Sequence, residues 1–141
     1  MLSPQGDLMD RGKAASMTVG QMRPPVLVVE DEALILFDLC MALEDEGFPI
    51  AGEALNLSDA RRSFEANEPK VAVLDINVGR ETVWPLARFL KSQGVALVFV
   101  SANLHHQELQ DEFGCYPQLE KPVNSGDLVK AIERAASGSA L

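Results

Sequence analysis

Four strand-like runs in this sequence each end on residues able to do chemistry. Val26-Leu27-Val28-Val29 runs into Glu30-Asp31, Val71-Ala72-Val73-Leu74 into Asp75, Val95 to Val100 into Ser101, and the shorter Tyr116 to Glu120 into Lys121. Three carboxylates brought together repel one another, and such a cluster is costly unless a cation or a proton joins it. A hard divalent cation with oxygen ligands meets that need, and Mg²⁺ suits a site that keeps several waters. A metal so held offers coordination positions to a phosphoryl oxygen. Asp75 can then attack phosphorus through a carboxylate oxygen and become an acyl phosphate. Mg²⁺ and the Lys121 ammonium would balance charge on the equatorial oxygens, and the Ser101 hydroxyl would donate to a third. Any one of these residues alone reads as an ordinary loop residue. Their joint placement at strand outlets makes the constellation specific.

That convergence requires the strands to be parallel. Each apolar run is β-branched and continuous, as expected where both faces of a sheet are covered. Leu36, Leu39, Cys40 and Leu43 recur at helical spacing until Gly47, and a short second strand follows over Pro49 to Ala54. Ser58 can cap the next helix, which turns Ala60, Phe64 and the stem of Arg61 inward and stops at Pro69. Past Asp75, a loop through Gly79 leads to a helix carrying Val83, Leu86, Ala87 and Leu90, with Pro85 in its first turn. A more polar helix is predicted over Leu104 to Phe113, and Asn124 caps a last helix bearing Leu128, Ile132 and Ala135. Five strands alternating with five helices predict an α/β domain, a parallel sheet between helix layers, with polar sites beyond the carboxyl ends of its strands.

At this point the sequence resembles the response regulator receiver family (the CheY-like superfamily). The resemblance covers Val26 to about Ala136 and rests on Val28-Val29-Glu30-Asp31-Glu32, Val73-Leu74-Asp75, Val98-Phe99-Val100-Ser101-Ala102 and Glu120-Lys121-Pro122. It implies a flavodoxin-like (βα)5 three-layer sandwich with strand order 2-1-3-4-5. It also implies that Asp75 is the phosphoacceptor, Asp31 a direct metal ligand, Glu30 a ligand through water, and Asn77 a ligand through its backbone carbonyl. Ser101 would be the switch hydroxyl, Lys121 the phosphate-pairing lysine, and Lys121-Pro122 a cis peptide. The sequence departs from the family pattern in two places. Val78-Gly79 replaces the usual Met-Pro after the acceptor, with Val83 in place of a later loop glycine. Gln118 stands where an aromatic switch residue is usual, with Tyr116 two residues earlier. Asp75-Ile76-Asn77-Val78-Gly79 and Phe99-Val100-Ser101-Ala102 are similar to an atypical subgroup named FATGUY after its fourth-strand motif, from which Asn103 departs.

The resemblance implies a sensor histidine kinase or histidine phosphotransfer protein as phosphodonor, and a downstream protein partner. Homodimerisation through the fourth helix, fifth strand and fifth helix is common in the family. Two other readings compete. One is a pseudo-receiver that binds proteins without carrying phosphate. The other is an aspartyl-nucleophile phosphatase of the haloacid-dehalogenase type, which needs an acid–base Asp where this chain has Asn77. The expected role is that of a phosphoacceptor and not an enzyme.

Composition bounds the rest. The 141 residues carry 12 Lys plus Arg against 21 Asp plus Glu, a formal net charge of −9, which disfavours binding to nucleic acid. No run is long enough to cross a membrane and the start lacks the pattern of a signal peptide, so a cytoplasmic protein is expected. Cys40 and Cys115 lack metal-ligand spacing and read as reduced thiols. His105 and His106 read as solvated or packing side chains, and Trp84 and Phe89 as helix-packing residues. Residues 1–24 read as a flexible leader with alternative starts at Met17 and Met22, 25–137 as the receiver, and 138–141 as a tail without an effector domain.

Overall fold

A computed structural model describes residues 23–138 of the chain, so nearly all of the leader, both alternative starts and residues 139–141 lie outside the described residues. Strands β1 (Val26–Val29), β2 (Ile50–Ala54), β3 (Val71–Asp75), β4 (Ala96–Ser101) and β5 (Gln118–Glu120) alternate with helices α1 (Ala33–Asp45), α2 (Leu57–Asn67), α3 (Trp84–Ser92), α4 (Gln107–Asp111) and α5 (Ser125–Ala136). The strands form one parallel sheet in the order β2-β1-β3-β4-β5. This is the flavodoxin-like order, and it brings the carboxyl ends of β1, β3, β4 and β5 to one rim.

The apolar strands are continuous because alternate residues serve two different cores. Leu27, Val29, Ala72, Leu74, Leu97 and Phe99 face Ala60 of α2, Leu86 and Leu90 of α3, and Phe113. Val26, Val28, Val71, Val73, Val98 and Val100 face Leu36, Leu39 and Leu43 of α1 and Leu128 and Ile132 of α5. Neither layer could be exposed without uncovering half of every strand. Gly52 lets α2 come close to β2, since a Cβ there would stand 2.7 Å from the Ser63 Cβ.

Several elements differ from the sequence-based expectation, each for a local reason. The second strand begins at Ile50, because Pro49 has no N–H; its carbonyl accepts from the Val26 N–H at 2.9 Å. Asn56, not Ser58, caps α2: its Oδ1 accepts from the Asp59 N–H at 2.8 Å and from the Ser58 hydroxyl at 3.0 Å. Arg61 lies outside the core, with its guanidinium over the Phe89 ring at 3.4 Å. The polar helix expected over Leu104 to Phe113 shrinks to Gln107–Asp111, where Leu109 is the one buried residue. The last strand starts at Gln118, after Pro117, and Tyr116 sits in the preceding turn. The loop after Asp75 is a small antiparallel ribbon, Asn77 opposite Thr82 and Val78 opposite Glu81, with Gly79 at φ +65° in its turn. The Val83 N–H closes the ribbon on the Ile76 carbonyl at 2.8 Å.

Candidate functional site

Each strand end delivers its side chain by register. β1 and β3 run side by side with Val29 opposite Leu74, so Glu30 and Asp75 leave the sheet as neighbours. Asp75 lies opposite Val100 of β4, which places Ser101 one residue further along the adjacent strand. Ser101 is opposite Glu120, and its carbonyl accepts from the Lys121 N–H at 2.9 Å. The Lys121–Pro122 peptide is cis.

Carboxylate oxygens of Glu30, Asp31 and Asp75 lie within 4.8 Å of one another. Glu30 is 1% exposed and Asp75 6%, whereas Asp31 opens to solvent. The Lys121 ammonium donates to Glu30 Oε1 at 2.7 Å and to Asp75 Oδ2 at 3.2 Å. Glu30 Oε2 accepts from the Glu32 N–H at 3.1 Å, so both oxygens of this buried carboxylate are held. Asp31 Oδ2 accepts from the Gly79 N–H at 2.9 Å, which ties the ribbon to the carboxylate cluster.

The electrostatics follow from this geometry. Burial, followed by the charge of Glu30, raises the Asp75 carboxyl from 3.8 to about 6, against the opposing pull of Lys121. Burial acts against the Lys121 ammonium, but its hydrogen bond to Glu30 and the charges of Asp75 and Glu30 outweigh that and raise its pKa. One lysine among three carboxylates leaves the cluster short of positive charge. A donor set made wholly of oxygen, with one member open to water, fits Mg²⁺.

Glu30, Asp31, Asp75 and Lys121 thus come together as the sequence predicts. Ser101 is buried at the adjoining strand end, where its Oγ accepts from the Asn103 N–H at 3.3 Å. Asn77 is exposed in the ribbon two residues past Asp75. Sequence reasoning missed the Gly79 amide. The one available signal was a glycine where the family usually has proline, since proline has no N–H to donate. Gln118, in the place of the aromatic switch residue, directs its amide to the carbonyls of Leu109 at 3.3 Å and Phe113 at 3.4 Å. His105 is exposed, while His106 packs its ring against Trp84.

Comparison with known proteins agrees with this fold. The family model described as response regulator receiver domain matches residues 26–133. The transcriptional regulatory protein PdtaR of Mycobacterium tuberculosis is 33% identical over 115 residues, covering 79% of this chain and 56% of that protein. The chain therefore spans about half the length of that relative. The signal receiver domain of a modulated diguanylate cyclase from Desulfovibrio desulfuricans superposes with a TM-score of 0.73 at 27% identity, over 82% of this chain and 95% of that one. The receiver domain of a NarL response regulator from Mycobacterium tuberculosis, at 22% identity, shares the fold with a TM-score of 0.73 over 83% of this chain and 98% of that one.

Proposed function

The chain belongs to the response regulator receiver family, and from that premise we propose that Asp75 accepts a phosphoryl group in an Mg²⁺-dependent step and that the resulting charge changes the surface presented to a partner. The donor is a phosphohistidine on a sensor histidine kinase or a histidine phosphotransfer protein. An Asp75 oxygen forms the new P–O bond as the donor's P–N bond breaks, and the leaving imidazole takes a proton from solvent. Asp31, Asp75, the Asn77 carbonyl and, through water, Glu30 would hold the Mg²⁺, which would supply positive charge against a phosphoryl oxygen. Lys121 turns from the two carboxylates toward the same group, and Ser101 donates its hydroxyl to a further oxygen. The observation that carries this reading is the Lys121 ammonium bridging Glu30 and Asp75 beside Asp31.

The surface next to the site supports a protein donor. Leu34, Phe37 and Met41 are exposed on α1, which contains no Lys or Arg and begins directly after Glu32. An apolar helix face bearing basic residues complements it. Among the described residues no helix is long and apolar enough to cross a membrane. A cytoplasmic site of action accords with a donor of this kind. A homodimer through α4, β5 and α5 and a downstream protein partner belong to the same proposal.

Intact-mass measurement after exposure to acetyl phosphate, with and without Mg²⁺, tests the reading. The wild type should gain the mass of one phosphoryl group only with Mg²⁺, and Asp75→Asn should gain none. Labelling retained in Asp75→Asn would move the acceptor elsewhere. A folded wild type inert to acetyl phosphate and to every kinase would favour the pseudo-receiver, a reading that Gln118 in the switch position supports. Steady turnover of small phosphate esters would favour the phosphatase.

A further inference from the structure

The loop between β4 and α4 is strung directly on the Ser101 side chain. The Asn103 N–H donates to Ser101 Oγ at 3.3 Å, and the His105 N–H donates to Asn103 Oδ1 at 2.9 Å. The next residue, His106, lays its ring edgewise on Trp84, with centroids 5.7 Å apart and planes at 64°. Trp84 opens α3 and stacks on Phe113 just past α4, with centroids 5.8 Å apart and planes at 14°. Two neighbouring hydrogen bonds and one ring contact thus join the Ser101 hydroxyl to the junction of α3 and α4.

The ring contact comes at a cost. His106 Nε2 is buried and has no hydrogen-bond partner among the described residues. A dry, unpaired ring nitrogen raises the free energy of the packed state, and swinging the ring into water would restore its hydrogen bond. The packed arrangement is therefore poised for release. Gln118 leaves no ring on β5 to follow Ser101, and it holds the end of α4 through the Leu109 and Phe113 carbonyls instead.

We propose that the His106–Trp84 contact is the latch that reads the position of Ser101. It rests on Asp75 as acceptor and concerns how that site is coupled to the surface. When Ser101 Oγ turns to donate to the phosphoryl group, its contact with the Asn103 amide is lost. The Asn103–His105 turn shifts, and His106 leaves Trp84 for solvent. The α4 surface then loses its tether at His106 and keeps those from Gln118 and from Arg88, which donates to Glu112 at 2.8 Å.

Trp84 is the chain's one tryptophan, so its emission reports on the latch directly. With Mg²⁺ and acetyl phosphate, a wild type carrying the Asp75 adduct by mass should show red-shifted emission, and amides 103–113 should exchange hydrogen faster. His106→Phe keeps a ring against Trp84 and removes the unpaired nitrogen. It should hold the latch closed, weakening the apparent affinity for Mg²⁺ plus beryllofluoride about fivefold while resting stability rises. A purely structural His106 would not move the two in opposite senses. Complete Asp75 labelling with unchanged emission and exchange overturns the latch alone, as does a His106→Phe protein with wild-type beryllofluoride affinity. Absence of an Asp75 adduct overturns the acceptor reading, and the latch with it. If His106→Phe fails to fold, the wild-type emission and exchange decide.

Discussion

At the scale of single residues, the site stores electrostatic free energy. Asp75 has its pKa raised from 3.8 to about 6 by burial and by Glu30. Well below pH 3.8 it is protonated folded or unfolded and contributes nothing. As pH rises toward 6 the unfolded chain loses the proton more readily, so the folded state loses stability, and the full penalty remains above the folded pKa. Asp75→Asn should therefore raise the melting temperature of the metal-free protein at pH 7.5, with a gain of at most about 3 kcal/mol for a two-unit shift. It should make little difference at pH 4, and a larger gain at pH 4 than at pH 7.5 would refute the assignment. Lys121→Ala acts in the other direction. It strips the ammonium from Glu30, which is 1% exposed, and should cost about 3 kcal/mol in urea unfolding without metal. Glu30 and Asp75 were legible in the sequence because each follows directly on an apolar run, with Asp31 next to Glu30 and Lys121 at the end of the short last strand. The Gly79 amide was not, because a backbone N–H carries no residue-type signature and its aim depends on the path of the ribbon.

At the scale of elements, β1, β3, β4 and the two long helices α1 and α5 were legible from periodicity alone, since each buries a full face. The ends and the short pieces were not. Asn56 and Ser58 are both competent caps in type, and only the helix's true first turn separates them. The structure puts the cap on Asn56, so Asn56→Ala should cost about 1 kcal/mol and Ser58→Ala markedly less, measured by urea denaturation. Equal costs would return the helix start to Ser58. α4 lost residues at its start, where Asn103 captures the His105 N–H, and at its end, where the Phe113 N–H reaches back to the Glu108 carbonyl. A polar segment with one buried anchor has little to set against such local bonds. The ribbon after Asp75 escaped notice because two-residue strands have no period to read.

At the scale of the whole molecule, two cores share one sheet, and the acidic site sits where that sheet runs out of apolar residues. Packing and charge therefore oppose each other at the rim. Burial of Leu74 and Phe99 from one face and Val73 and Val100 from the other holds β3 and β4 in register. The register of β1 on β3, with Val29 opposite Leu74, forces Glu30 and Asp75 together in a chain whose formal net charge is −9. A cation that binds only the assembled cluster must then stabilise the entire fold, because the unfolded chain scatters its ligands. The gain is set by RT ln(1 + [L]/Kd), or about 2.7 kcal/mol at a hundredfold excess over Kd. Adding Mg²⁺ should raise the melting temperature in steps that follow this relation, with the largest response at pH above 6, where Asp75 carries its charge. Asp31→Asn should abolish most of the response while leaving the metal-free fold near wild-type stability, because Asp31 opens to solvent and holds the Gly79 amide alone. Titration of melting temperature against Mg²⁺ for both proteins decides the point. Equal responses would place the ion away from the cluster and leave the rim's unbalanced charge without its proposed purpose.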